Sequence, residues 1–243
     1  MNLLIDIGNT RTKWLMLDGG APHARGVLGN HKLKELDFTG FQVSASIASC
    51  VANERVFNEL ALRVREQLEL ELQRAVVTDR QGQLLNAYRR RDQLGVDRWL
   101  AAIGAHSLIQ DRRLIVVDAG TAVTVDLVTA DNVFQGGVIL PGIRLIQECL
   151  TGNTAGVVSA PSDVRSVVGR TTQECVNAGA QFGVAGAIER YIREMTGWSG
   201  DGGSDVPCVL MCGGDAERLS ALLPIEHRVE VDLVFSGLSV VLS

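Results

Sequence analysis

The sequence predicts an α/β protein built from two related halves. A short pattern occurs once in each half: a β-branched apolar run ending in Asp-x-Gly, then hydroxyl residues and a second strand-like stretch. Strand-like runs also mix with segments of helical periodicity in both halves. With 243 residues, the chain is long enough for one large domain or two small ones. We therefore predict a first domain over residues 1–112 and a second over 113–243.

The first half is predicted to contain strands followed by a helix and a further strand. Apolar and β-branched residues predict strands at residues 2–7, 11–17, 25–28, 43–49 and 75–77. Asn53 is a suitable N-cap for a helix that continues to about Leu70. Residues 81–94 are polar, include three consecutive arginines and predict a loop, and such loops often lie at a ligand. An arginine run by itself is more often solvated. A helix is predicted to begin at Gly95.

The second half repeats this plan. Strands are predicted at residues 114–118, 121–128, 133–139 and 206–211. Helices are predicted from Pro141-Gly142 to Leu150, from a Thr172 cap to Met195, from Ala216, and over 232–242. Residues 151–169 and 198–204 are rich in Gly and Ser and predict loops.

The repeated Asp-x-Gly pattern is suited to phosphate binding. Its Gly, Gly8 or Gly120, permits a tight turn whose N–H groups point the same way. Asn9, Thr10 and Thr121 add side-chain donors, and an Asp at the strand end is a hard ligand for Mg²⁺ or its water shell. Each turn alone could be an ordinary hairpin, but two copies favour a clamp for nucleotide phosphates. Neither a P-loop nor a Rossmann glycine pattern is present.

Two further motifs have a structural and a functional interpretation. Gly213-Gly214-Asp215 is either a plain strand-to-helix loop or a place where backbone lies against an adenine or ribose. Asp97 either complements the helix dipole or is a carboxylate held rigidly beside the guanidinium of Arg98.

Composition excludes several classes of function. The formal charge is −5 and only one short arginine run is present, so nucleic acid is an unexpected partner. No apolar run is long enough to span a membrane, and Asp6 within the first strand argues against a secretory signal. The five cysteines and four histidines show no metal-ligand spacing, which favours free thiols in a reducing cytoplasm.

These motifs together resemble the type III pantothenate kinases, within the superfamily of acetate and sugar kinases, Hsp70 chaperones and actin. The resemblance rests on the Asp6-x-Gly-Asn-Thr-x-x-Lys13 pattern, on Gly95 to Arg98, on Asp118 to Thr121, on the segment 169–172 and on the late Gly-Gly-Asp. It implies two tandem ribonuclease H-like (actin-like ATPase) domains with mixed sheets flanked by helices.

The resemblance also implies a reaction. The γ-phosphate of ATP would pass to the primary hydroxyl of pantothenate, giving 4'-phosphopantothenate in the first step of coenzyme A biosynthesis. Asp97 would act as the general base, and ATP would be held between the two Asp-x-Gly turns. Mg²⁺ bound to Asp6 through water and a monovalent cation (K⁺ or NH₄⁺) at Asp118 would assist.

The resemblance further assigns binding residues in a cytoplasmic homodimer with a shared active site. The ATP-binding residues would be Asp6, Ile7, Gly8, Asn9, Thr10, Arg11, Thr12, Lys13, Thr121, Gly213 and Gly214. The pantothenate-binding residues would be Tyr88, Gly95, Val96, Asp97, Arg98 and Thr172. Thr172 would come from the partner subunit. Residues 151–170 do not clearly match the family, which leaves Thr171 open as an alternative to Thr172.

Two competing functions remain. One is a catalytically silent nucleotide-binding accessory factor in gene regulation, against which the intact Asp97, Arg98 and Asp118 argue. The other is a kinase or phosphatase of the superfamily acting on a sugar or polyphosphate, which the Gly-x-Asp-Arg helix and the short chain disfavour.

Overall fold

A computed structural model describes residues 1–154, 164, 166–198 and 206–243. By its internal contacts the chain forms two units: Met1–Leu108 with Asp232–Ser243, and Ile109–Val231. The first division lies four residues before the predicted boundary at 112. The C-terminal helix, which we predicted with the second half, groups with the first unit. The domain boundaries themselves stay a prediction.

Twelve strands and six helices are formed by the described residues. The strands are β1 Asn2–Ile7, β2 Arg11–Asp18, β3 Ala21–Gly29, β4 Ala45–Cys50, β5 Gln73–Arg74, β6 Arg80–Gln81, β7 Leu84–Asn86, β8 Leu114–Ala119, β9 Ala122–Val128, β10 Val133–Pro141, β11 Cys208–Cys212 and β12 Arg228–Val229. The helices are α1 Glu54–Leu68, α2 Val96–Leu108, α3 Ile143–Asn153, α4 Thr172–Thr196, α5 Ala216–Ser220 and α6 Leu233–Leu242. Short 3₁₀ helices cover Asn30–Glu35 and Arg91–Gln93.

The sheets of the two units have the same topology. In the first unit the strand order is β3-β2-β1-β4-β5, and in the second β12-β11-β8-β9-β10 runs in the equivalent order. β1 and β8 each begin an antiparallel meander of three strands and pair in parallel with β4 or β11. Parallel partners need a crossover, and α1 and α5 each follow the parallel strand on the way to the next. The prediction of two related halves with mixed sheets is therefore confirmed.

The apolar faces of these sheets are buried under helices. Leu3, Ile5 and Ile7 of β1 alternate onto one face and pack with Leu60 and Val64 of α1. In the second unit, strand residues such as Val117 pack against Val184, Ile188 and Ile192 of α4. No helix of the described ranges is long and apolar enough to cross a membrane.

Helix α2, which carries Asp97, is held by α6. A Cβ at Gly104 would lie 2.1 Å from the Leu233 carbonyl oxygen, and one at Gly237 would lie 2.0 Å from that of Leu100. The two backbones therefore touch at positions where only glycine fits. An ion pair of 2.9 Å between Arg25 and Asp232 also ties the start of α6 to β3.

Several local predictions were wrong. The fifth strand is Gln73–Arg74 rather than 75–77, and the predicted loop 81–94 contains parts of the β6–β7 hairpin and a 3₁₀ turn. Asn53 does cap α1, accepting from the Val56 N–H at 3.2 Å, but α4 is capped by Thr171 rather than Thr172. The predicted loops 151–169 and 198–204 lie partly outside the described residues.

Candidate active site

The first Asp-x-Gly turn joins β1 to β2 and presents an exposed tip. The Gly8 N–H donates to the Arg11 carbonyl at 3.0 Å, which closes the turn. Asn9, Thr10 and Arg11 are exposed, as expected of groups that meet a phosphate. Ile7 and Thr12 are fully buried, so a ligand can reach only their backbone.

Asn30, which was not among the predicted site residues, holds this turn in place by two hydrogen bonds. Its Nδ2 donates to the Gly8 carbonyl at 2.8 Å, and its Oδ1 accepts from the Thr12 hydroxyl at 2.9 Å. Asn30 follows Gly29 at the end of β3, a strand edge that carried no motif. The sequence feature that could have indicated Asn30 is the β-meander: in three antiparallel strands, the end of β3 lies beside the turn between β1 and β2. Thr12 therefore helps to fix the turn from inside.

Asp6 lies among charged and polar neighbours on the face of the sheet. Lys13 of β2 and Ser49 of β4 are its direct cross-strand partners. Burial raises the pKa of Asp6 to about 6, Lys13 opposes this shift, and the charge of Asp97 adds to it. The Ser49 hydroxyl is buried, favours the ionised form of Asp6 and has no other partner in the described part of the chain. Ser49 was not predicted as a site residue, because a single sequence does not show which residues lie opposite each other on neighbouring strands.

The raised pKa of Asp6 predicts a stability gain on neutralisation. The folded state binds the Asp6 proton more tightly than the unfolded state does. Ionisation of Asp6 therefore lowers the free energy of unfolding as the pH rises from 3.8 to about 6, and the full loss persists at higher pH. Asp6→Asn is expected to raise the free energy of unfolding of the ligand-free protein by on the order of 2 kcal/mol at about pH 7.5. Urea unfolding measures this, and the gain should shrink at about pH 4.5. Asp18→Asn, at an exposed position on β2, is the control; an Asp6→Asn protein less stable than wild type at the higher pH would contradict the argument.

Asp97 is held in a fixed position in the first turn of α2. Its Oδ1 accepts from the Arg98 backbone N–H at 2.8 Å. Burial raises the pKa of Asp97, while that N–H and the Arg98 guanidinium oppose the rise. The same oxygen lies 2.5 Å from the place of a Cβ on Gly95. Gly95 therefore leaves the space that this carboxylate occupies.

A methyl group at position 95 is expected to displace the Asp97 carboxylate. Gly95→Ala should lower kcat about tenfold, since relieving such a contact costs roughly 1–3 kcal/mol of positioning or strain. Steady-state kinetics test this beside Gly40→Ala, where an added Cβ has nothing within 4 Å. Equal kcat values for the two variants would mean that the space at Gly95 has no catalytic role.

Tyr88 and Arg98, both predicted to bind the acceptor, lie together. The Arg98 guanidinium carbon is 5.7 Å from the centre of the Tyr88 ring, and Arg98 is 6% exposed. Asn86 sets the backbone of Tyr88: its Oδ1 accepts from the Tyr88 N–H at 3.0 Å, and its Nδ2 donates to the Thr78 carbonyl. This arrangement holds the Arg98 guanidinium against the face of the Tyr88 ring, next in sequence to Asp97.

A pocket of about 850 Å³ opens beside these residues within the first unit. Residues 50–51, 74–77 and 89–96 line it. Gly95 and Val96 form part of its wall, so the pocket reaches the beginning of α2 and the neighbourhood of Asp97. Two of the four residues assigned to the acceptor from this helix start, Gly95 and Val96, therefore line the cavity, and Asp97 and Arg98 follow them directly in sequence.

The second Asp-x-Gly turn and the Gly-Gly-Asp motif pack against each other in the second unit. The Gly120 N–H donates to the Ala122 carbonyl at 3.0 Å, and Thr121 is exposed. Gly213 has a φ of +95°, and a Cβ there would lie 2.5 Å from an Asp118 carboxylate oxygen. Gly214 is exposed, and a Cβ there would have nothing within 4 Å. Asp118, predicted to hold the cation, and Gly213, predicted to contact ATP, therefore lie in direct contact.

The structure separates the roles of Thr171 and Thr172. The Thr171 hydroxyl accepts from the Glu174 N–H at 3.2 Å and so caps α4. Thr172 is exposed, and within the described residues its side chain has no hydrogen bond. Thr172 is therefore the hydroxyl that remains available for a ligand.

The described residues contain no cluster of three or more His, Cys, Asp or Glu side chains that could hold a metal ion. Isolated carboxylates such as Asp6 still suit Mg²⁺, which usually keeps several waters and binds one or two carboxylates together with substrate phosphates. Burial raises the pKa of both Asp6 and Asp97, and a cation bound close to them would favour their ionised forms.

Two solved structures share this fold. A protein from Campylobacter jejuni named as a Baf family transcriptional activator has a TM-score of 0.61 and 21% identity over 98% of this chain and 95% of its own. A Sinorhizobium meliloti protein named as a 2-dehydro-3-deoxygalactonokinase has a TM-score of 0.54 and 14% identity over 98% and 97%. At these identities the likeness concerns the fold alone, and it confirms the predicted fold class.

Sequence relatives identify the family. The family model for type III pantothenate kinase matches residues 2–194. The type III pantothenate kinase of Herminiimonas arsenicoxydans is 34% identical over 99% of this chain and 97% of its own length. That of Methylibium petroleiphilum is 36% identical over 97% and 96%. The predicted family and enzyme class are thereby confirmed: the chain belongs to the type III pantothenate kinase family.

Proposed function

We propose that this protein transfers the γ-phosphate of ATP to the primary hydroxyl of pantothenate, giving 4'-phosphopantothenate in the first step of coenzyme A biosynthesis. The observation that carries the proposal is the half-buried carboxylate of Asp97, fixed by the Arg98 N–H beside the Arg98 guanidinium and the Tyr88 ring. Asp97 directly follows two residues, Gly95 and Val96, that line a pocket large enough for a small acceptor. Family membership supplies the identity of the acceptor.

Asp97 acts as the general base in this proposal. As the acceptor hydroxyl attacks the γ-phosphorus, its proton passes to an Asp97 oxygen. The raised pKa makes this carboxylate a better proton acceptor than an exposed Asp. A strong base is unnecessary, because phosphoryl transfer has a loose transition state in which the hydroxyl loses its proton late.

Arg98 supplies a fixed positive charge. Its guanidinium can donate two parallel hydrogen bonds to a carboxylate or a phosphoryl group. The Tyr88 ring and the burial of Arg98 restrict its motion, so less entropy is lost when it binds an anion.

The two Asp-x-Gly turns bind the ATP phosphates. Exposed donors at Asn9, Thr10 and Thr121 meet phosphate oxygens. Asp6 would hold Mg²⁺ through water, and Asp118 would hold a K⁺ or NH₄⁺ ion. When bound, such cations would offset the charge that develops on the transferring group. The backbone at Gly213 and Gly214 lies beside the adenosine.

The active site is completed in a homodimer. The exposed Thr172 hydroxyl at the start of α4 is free of the capping role that Thr171 performs. In this proposal it contacts the pantothenate bound by the partner subunit.

ADP release by the purified protein tests the reaction. We expect turnover with ATP and Mg²⁺ that depends on pantothenate and that is much faster with K⁺ than with Na⁺. Pantothenate-dependent turnover at equal rates with K⁺ and Na⁺ would support the reaction but exclude a selective monovalent-cation site at Asp118. A folded, ATP-binding protein with no pantothenate-dependent turnover would favour the silent accessory factor instead.

A further inference from the structure

The arginine run Arg89–Arg91 has no part in the mechanism above. All three residues line the pocket of about 850 Å³ in the first unit, and Arg74 lines it too. Asp92 is the single acidic residue of the lining. The cavity wall is therefore rich in guanidinium groups.

Three of these arginines have carboxylate partners. Arg74 pairs with Glu54 at 2.8 Å, Arg90 with Asp92 at 2.7 Å and Arg91 with Asp79 at 2.8 Å. Arg89 is exposed, and among the described residues it has no ion pair or hydrogen bond. The uncompensated positive charge of the pocket thus resides on Arg89.

Apart from Gln93, most of the remaining lining residues are apolar. Residues 75–77 are Ala-Val-Val, Leu94 and Val96 also line the cavity, and Val76 is 62% exposed. An exposed apolar wall beside an unpaired cation suits a ligand with a hydrocarbon body and one anionic end. Gly95 and Val96 connect this wall to Asp97, where the acceptor hydroxyl reacts.

We propose that the acceptor lies in this pocket with its hydroxyl towards Asp97 and its carboxylate at Arg89, which makes Arg89 a specificity-determining residue for anionic acceptors. The inference rests on the proposed function and names the group that recognises the end of the acceptor remote from the reaction. An acceptor without a carboxylate gains nothing from Arg89, so the effect of this residue depends on acceptor charge.

Steady-state kinetics with two acceptors test the assignment. Pantothenate is compared with panthenol, which has the same reacting hydroxyl but a neutral alcohol in place of the carboxylate. Arg89→Gln is expected to raise the KM for pantothenate about three- to fivefold, the range of an exposed ion pair. Its kcat and its KM for panthenol should stay unchanged. Arg55→Gln, at an exposed α1 position outside the pocket lining, is the matched control and should change neither KM.

Two results would overturn the assignment. An equal rise of KM for both acceptors means that Arg89 only shapes the loop, and an unchanged KM for pantothenate means that the carboxylate binds elsewhere. Calorimetric titration with pantothenate gives a readout without turnover. Weaker pantothenate binding by Arg89→Gln than by wild type supports the assignment even if no ADP is released, and in that case only the proposed reaction fails. Equal binding by the two proteins contradicts the role of Arg89 and leaves the proposed reaction untouched.

Discussion

Asp97→Asn is expected to lower kcat by roughly 10²- to 10⁴-fold, the usual contribution of a positioned general base. Asn cannot accept the hydroxyl proton, but it has the same shape and its carbonyl oxygen can keep the hydrogen bond from the Arg98 N–H. The KM for ATP and for pantothenate should therefore change little. Steady-state kinetics of ADP release measure both quantities.

Asp18→Asn is the control, because Asp18 is exposed on β2 and lies outside the pocket lining. We expect nearly wild-type kcat from it. The pH profile adds a second test. Because burial raises the pKa of Asp97, wild-type kcat should fall on acidification at a higher pH than an exposed Asp would give. A kcat for Asp97→Asn close to that of Asp18→Asn would exclude Asp97 as the base.

The Asp-x-Gly pattern that occurs in both halves could be predicted, because it depends on residues that are close together in the sequence. The Asp-x-Gly turns, their flanking strands and the Asn53 cap depend on residues that are close in sequence. The same holds for Asp97, which a helix start and its neighbours Gly95 and Arg98 identified. Local patterns therefore located the motifs of the candidate site in both units.

Contacts between distant residues were not predictable. The close approach of α2 and α6 depends on Gly104 and Gly237, two glycines whose partners are more than a hundred residues away in sequence. Asn30 and Ser49 act on the first turn only through strand register and a returning third strand. A single sequence shows such residues but not what lies opposite them.

The Gly-Gly-Asp motif shows how a structural and a functional reason can coincide. The sequence offered a choice between a plain loop and a nucleotide contact. The structure shows that Gly213 is required by the fold, since its φ is positive and the β8 backbone lies against its Cα. Gly214 has neither constraint, so only a ligand could require glycine there. The two positions can therefore be tested separately.

Gly213→Ala is expected to destabilise the protein by about 2–5 kcal/mol. A left-handed conformation costs an L-residue roughly 1–2 kcal/mol, and overpacking typically costs a further 1–3 kcal/mol. The new Cβ would lie 2.5 Å from the Ala119 carbonyl carbon and oxygen and from an Asp118 carboxylate oxygen, and backbone cannot move aside as a flexible side chain can. Urea unfolding should show a lower midpoint with an unchanged slope.

Gly214→Ala should leave the urea midpoint near that of wild type, because an added Cβ there meets nothing within 4 Å. If the adenosine lies against this backbone, the same variant should raise the KM for ATP severalfold without changing stability. Gly213→Ala should raise that KM as well, since displacement of Asp118 disturbs the proposed cation site. An unchanged KM for ATP in Gly214→Ala would mean that the Gly-Gly-Asp motif serves folding alone. Gly214 is the glycine that the fold does not require, and it would then have no contact with the nucleotide either.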